Sequence, residues 1–133
     1  MPEENLTICY IHGYRSFDTR NNVKWNKDGK VLYHTAGVAI SLDPELNKQK
    51  YFTRHNEDIV CLTVDNTGSI AATGQIAEFG HEVLPVIYVW NTCTMQALAL
   101  LKGFHRKAVR HVSWCNRIVG VFTKWSLFVV HRR

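Results

Sequence analysis

The 133-residue chain reads as all-β, built from short antiparallel strands, and three features of its pattern predict that class. Apolar runs of about four to eight residues alternate with Gly, Asn, Asp or Pro, the spacing that strands and tight turns require. Two of those breaks, Asn26-Lys27-Asp28-Gly29 and Asp65-Asn66-Thr67-Gly68, place Asn or Asp early and Gly last, as hairpin connections do. The third feature is an internal repeat. His55 is followed by Ile59, Leu62 and Val64; fifty positions later His105 is followed at the same offsets by Val109, Val112 and Trp114.

Strands are expected at residues 7–11, 22–25, 31–35, 38–42, 50–52, 59–64, 70–73, 86–90, 96–101, 109–114, 118–122 and 127–130. The one helical stretch, 44–48, is too short to count. Four strands fit between the two repeat histidines, ending near Val86-Ile87-Tyr88-Val89-Trp90-Asn91. A four-stranded repeat of that length, with His near its start and Trp on its third strand, predicts an incomplete WD-type β-propeller with antiparallel four-stranded blades. The expected division is a first blade over 1–54, a second over 55–104 and an incomplete third with a divergent tail over 105–133.

His55 and Trp90 are expected to belong to a buried polar network, with the Thr73 hydroxyl between imidazole and indole. His105 would occupy the same framework position in the next repeat. Asn21 and Asn22 suit a turn between strands, and Gly13 and Gly37 suit unusual backbone or a close approach. Departures from the repeat pattern are equally plain. Arg54 and Phe104 precede the repeat histidines where Gly is usual, Asn91 follows Trp90 in place of Asp, and no turn aspartate precedes the third strand of the second blade. Tyr14, Phe17, Trp25 and Tyr33 are expected in the core, by strand spacing and burial tendency.

Charge is distributed unevenly. Through Glu82 the chain carries 8 basic and 11 acidic residues; beyond it come 8 basic and none acidic. A one-sign segment attracts anionic partners, which makes Lys102, Arg106, Lys107 and Arg110 candidate partner-binding residues. The same residues could simply be solvated. At 46% hydrophobic and 20% charged the composition is that of a folded domain, not a disordered tail. The acidic Met1-Pro2-Glu3-Glu4 start does not resemble a secretory leader and no apolar run approaches a membrane span, so a cytoplasmic, membrane-independent protein is expected.

No catalytic residue, metal or cofactor is predicted. Cys9, Cys61, Cys93 and Cys115 form no Cys-x-x-Cys pair, which suits reduced thiols more than a disulfide scaffold. Cys9 with His12, and His111 with Cys115, have spacings zinc tolerates, but neither has a second half-site. Nucleophile elbows, phosphate loops and His-Glu-x-x-His are lacking in the sequence.

A longer ordered set of motifs resembles one family. His12-Gly13-Tyr14-Arg15, Arg20-Asn21-Asn22-Val23 and Gly29-Lys30-Val31-Leu32-Tyr33 are similar to the hydrophobic motif that opens the propeller region of the echinoderm microtubule-associated protein-like family. The resemblance continues through His55-Asn56-Glu57-Asp58, Ala71-Ala72-Thr73-Gly74-Gln75-Ile76, Tyr88-Val89-Trp90-Asn91 and Arg106-Lys107-Ala108-Val109, and stops beyond Cys115. It makes Gly13, Tyr14, Arg15, Asn21, Asn22, His55, Thr73, Trp90 and His105 the framework set, in a propeller truncated after about two and a half blades. The resemblance implies a non-catalytic cytoskeletal binding module on tubulin or microtubules, extending to the axoneme. Self-association through open blade edges is a further expectation. A generic WD-repeat scaffold for another complex and an RNA-binding module are the alternatives. The absence of any RNA-binding motif makes nucleic acid the weaker partner class.

Overall fold

A computed structural model of the chain describes residues 6–76, 85–102, 108–119 and 122–130, with residues from 115 onward described as backbone. Among the described residues ten strands form three antiparallel sheets. The first sheet runs β1 (Lys24–Trp25), β2 (Val31–Thr35), β3 (Val38–Asp43), β4 (Lys48–Phe52), in that spatial order. The second runs β5 (Ile59–Val64), β6 (Ile70–Gln75), β7 (Ile87–Asn91), β8 (Ala97–Leu101). The third is a hairpin of β9 (His111–Val119) and β10 (Phe122–Val130). Sequential neighbours pair throughout, which gives meander blades of the WD-type propeller class.

Local chemistry explains the turns. Asn26 Oδ1 accepts the backbone N–H of Asp28 at 2.9 Å and of Lys30 at 2.8 Å, closing the β1–β2 connection. Asp65 Oδ1 does the same for Ser69 and Ile70 between β5 and β6. These two turns also touch each other: the Lys27 N–H donates to the Gly68 carbonyl at 3.2 Å. A Cβ on Gly68 would lie 2.5 Å from the Lys27 nitrogen, so the two blades can meet there only through a glycine.

The second blade is buried on both faces. Ile59, Val60, Cys61 and Leu62 are buried in succession, because β5 lies between the first blade and the β9–β10 hairpin. A register shift between Ile59 and Cys61 puts Ile59 and Leu62 on the same side. On that side they join Leu32, Ala39 and Phe52 of the first blade, with Ala71 and Trp90 completing the cluster. Cys61, Ala72 and Ile87 face the other way and pack on Val109 and Val112. Gly74 sits at this second joint, where an added Cβ would come 2.7 Å from both Cys61 Sγ and Val109 Cγ1.

Several expectations need correction. Residues 7–11 are not a strand. They run alongside the first sheet, held by the Gln49 side chain, which donates to the Ile11 carbonyl and accepts its N–H. Residues 44–47 form a turn leading into β4, and the three short strands expected after 108 are one long hairpin. Tyr14, Phe17 and Trp25 are not core: Phe17 is 84% and Trp25 65% exposed, while Tyr33 is half-buried. The stretch holding Tyr14 and Phe17 is a loop over the sheet, and β1 is only two residues long, so period-2 reasoning does not apply there.

Candidate functional site

A buried polar assembly ties the second blade together. Trp90 Nε1–H on β7 donates to Thr73 Oγ1 on β6 at 3.2 Å, and His55 Nε2 lies 2.6 Å from the same oxygen. His55 Nδ1 stands 2.8 Å from Gln75 Oε1, and the Gln75 amide donates to Asn56 Oδ1 at 2.8 Å. Only one assignment of protons satisfies every member. The indole donates to Thr73, Thr73 donates to Nε2, and Nδ1–H donates to Gln75. The imidazole is therefore neutral. Burial lowers its pKa to about 4 against a partial opposing pull from Gln75.

An aromatic box encloses this ring. Phe52, from the first blade, stacks on Trp90 with ring centroids 4.9 Å apart and planes 11° from parallel. Tyr88 meets His55 edge-on at 4.9 Å. The network thus fixes both the blade and its junction with its neighbour.

The Gly13–Asn22 loop is organised by Arg15. Its guanidinium makes paired bonds of 2.6 Å to Asp18, and Nη1 reaches Asp58 at 2.7 Å, just before β5. Its hydrogen bond to Asp18 is the main cause of the raised Arg15 pKa and of the lowered Asp18 pKa. Asn22 is buried and donates to the Arg15 carbonyl at 2.6 Å and to Thr19 Oγ1 at 2.8 Å. Asn21 adopts a φ of 55° on the surface and Gly13 a φ of 80°. Tyr14 is exposed and meets Tyr33 edge-on at 6.5 Å.

The structure therefore brings His55, Thr73 and Trp90 together, and Arg15, Asn22 and the loop start around a second centre. Lys102 and Arg110 are exposed. His105, Arg106 and Lys107, like the 77–82 stretch, lie outside the described residues. Gln75 escaped the sequence reading. Its signal is its place two residues after Thr73 on the same face of β6, which aims both side chains at His55. Among the described residues no group of three or more His, Cys, Asp or Glu is placed to hold a metal ion. No helix among them is long and apolar enough to cross a membrane.

Face-to-face meander blades with a His–Thr–Trp ring define an incomplete WD-type propeller. The chain superposes on a chain in the crystal structure of the mitotic checkpoint complex with a TM-score of 0.57, over 86% of this chain and 40% of that one, at 12% identity, a likeness of fold alone. In sequence, the HELP motif family model matches residues 1–40. The chain is 35% identical over 124 residues to the 77 kDa echinoderm microtubule-associated protein of Strongylocentrotus purpuratus, which covers 90% of this chain and 18% of that protein. It is 30% identical over 118 residues to echinoderm microtubule-associated protein-like 1 of Homo sapiens, 86% of this chain and 14% of that one. With echinoderm microtubule-associated protein-like 2 of Rattus norvegicus it shares 33% over 104 residues, 76% of this chain and 16% of the relative. The chain is a homologue of the echinoderm microtubule-associated protein family, and it spans less than a fifth of the length of these relatives.

Proposed function

We propose that the chain is a non-catalytic propeller module that binds tubulin or microtubules as part of the cytoskeleton. The observation that carries this reading is the sequence relationship, over 90% of the chain, to a protein named for microtubule association. Residues 1–54 and 55–104 would act as two framework blades, with 105–133 presenting much of the basic surface. Lys102, Arg106, Lys107 and Arg110 would meet the acidic face of tubulin by charge complementarity, an attraction that salt screens. His55, Thr73 and Trp90, with Arg15 and Asn22, would serve as framework and not as contact residues.

Co-sedimentation of the purified chain with microtubules at low and physiological salt tests the reading, with light scattering on the same sample to report self-association. Pelleting that weakens with salt and with charge reversal at Lys102, Arg106, Lys107 and Arg110 is the expected result. A monodisperse chain that stays in the supernatant at low salt would overturn it.

A further inference from the structure

The side of β4 that faces the second blade changes character along its length. Alternation places Lys48, Lys50 and Phe52 on that side. Phe52 packs on Trp90, while Lys48 and Lys50 line a cleft of about 300 Å³ between the blades. Strand pairing sets Ser41 opposite Lys50 and Asp43 opposite Lys48. The far wall is the β7–β8 turn, with Thr92 and Cys93.

Charges in this cleft do not cancel. Asp43 is fully engaged: Oδ2 holds Lys30 at 2.8 Å, and Oδ1 accepts the N–H groups of Glu45 and Leu46. Asp28 Oδ2 accepts the Cys93 thiol at 3.0 Å, a contact that raises the thiol pKa. Lys48 and Lys50 have no carboxylate partner among the described residues; Lys50 donates to the Cys93 carbonyl at 3.4 Å. Two ammonium groups on one side of one strand repel each other until an anion lies between them.

The lining offers flexible lysine point charges, with no arginine among its described residues. β4 is moreover the outer strand of its sheet, so its free edge can run beside an extended chain. We propose that this inter-blade cleft binds an extended acidic polypeptide segment, whose Glu or Asp carboxylates pair with Lys48 and Lys50. Lys102 and Arg110 do not line the cleft, and its ligand is defined by charge whether or not tubulin supplies it.

The test uses the full chain and a fluorescein-labelled hexaglutamate peptide, followed by fluorescence polarisation, with hexaglutamine as the neutral control. Saturable hexaglutamate binding is expected, lost at high salt. The double variant Lys48→Gln, Lys50→Gln should weaken it by about tenfold or more, whereas Lys102→Gln, Arg110→Gln should stay within about twofold. A site-specific readout comes from iodoacetamide labelling mapped by mass spectrometry: bound peptide should slow alkylation of half-buried Cys93 and leave exposed Cys9 unchanged. Wild-type affinity in the Lys48/Lys50 variant, or unprotected Cys93 at saturating peptide, would overturn the cleft. Equal displacement by inorganic phosphate at matched charge would overturn the polypeptide as its ligand. Microtubule co-sedimentation can fail while these results hold, and the reverse, so the two proposals are separable.

Discussion

The two four-stranded blades share a topology and solve the problem of a buried histidine in opposite ways. In the second blade His55 has both ring nitrogens engaged, one with Thr73 and one with Gln75. In the first, His34 is 0% exposed, its Nε2 is 3.4 Å from the Asn22 amide, and its Nδ1 has no partner among the described residues. The second blade is thus pinned internally by a satisfied polar chain. The first is held from outside, by the Arg15 loop across it and by Leu32, Ala39 and Phe52 packed on its neighbour. The blades therefore differ in what surrounds the buried imidazole: a satisfied polar chain in the second, apolar packing and the Arg15 loop in the first.

The largest effect should come from the residue both blades share. Trp90→Ala removes a fully buried indole from the inter-blade core and the donor to Thr73 together. Large-to-small aromatic changes of this kind cost about 3–5 kcal/mol, enough to unfold most marginal domains. Urea unfolding followed by tryptophan fluorescence and far-UV circular dichroism measures it. A loss below about 1 kcal/mol would mean that the blades do not depend on this junction.

Replacing each histidine by leucine separates the two strategies directly. His55→Leu strands the Thr73 hydroxyl and the Gln75 carbonyl in a buried site and should cost about 2–3 kcal/mol. His34→Leu removes a ring nitrogen that has no partner, leaves an apolar side chain of similar bulk, and should fall within about 1 kcal/mol of neutral. Equal losses in the two variants would erase the distinction between the blades.

Acid should destabilise both blades, since burial lowers the pKa of His34 and of His55 to about 4, with nearby Arg15 adding to the effect at His34. The unfolded chain takes up these protons near the ordinary value of 6.5, while the folded chain resists until about 4. Between those values the unfolded state binds more protons, so stability rises with pH across the window and is lost as pH falls through it. By pH 5 each histidine should remove on the order of 2 kcal/mol relative to pH 7. The urea midpoint against pH reports this, and His34→Leu should flatten only its own share.

How much of this contrast the sequence carries depends on where period and spacing apply. Most strands from 31 to 101 follow from alternating apolar residues bounded by turn chemistry, as in Val31–Thr35 and Ile59–Val64. The repeat leads to His55, and the strand pattern to Thr73 and Trp90. Gln75 carries only the signal of its spacing, two residues after Thr73 on the same face of β6, and the repeat does not single it out. Phe17 and Trp25 mislead because apolar spacing says which face a strand turns inward, whereas Phe17 lies in a loop and Trp25 on a strand of only two residues. The lysine cleft is invisible too, since nothing in the sequence says that the exposed Lys48 and Lys50 lie on the same side of β4 as Phe52, beside the β7–β8 turn.

The finest test of the comparison is Gln75→Glu, which changes one atom type in the ring. A carboxylate at this position accepts the same Nδ1–H and adds a negative charge beside the imidazole, favouring its protonated form. The His55 pKa should rise, so the folded state takes up its proton closer to where the unfolded state does. The acid loss assigned to His55 should shrink accordingly, while that of His34 stays. Gln75 is fully buried, so near pH 7 the new carboxylate should cost on the order of 1–3 kcal/mol of stability, offset in part because the Asn56 amide can rotate to donate where Gln75 formerly donated to it. Histidine titration by NMR reads the shift without reference to stability. An unmoved His55 would mean that Gln75 is a neighbour of the ring and not its terminus.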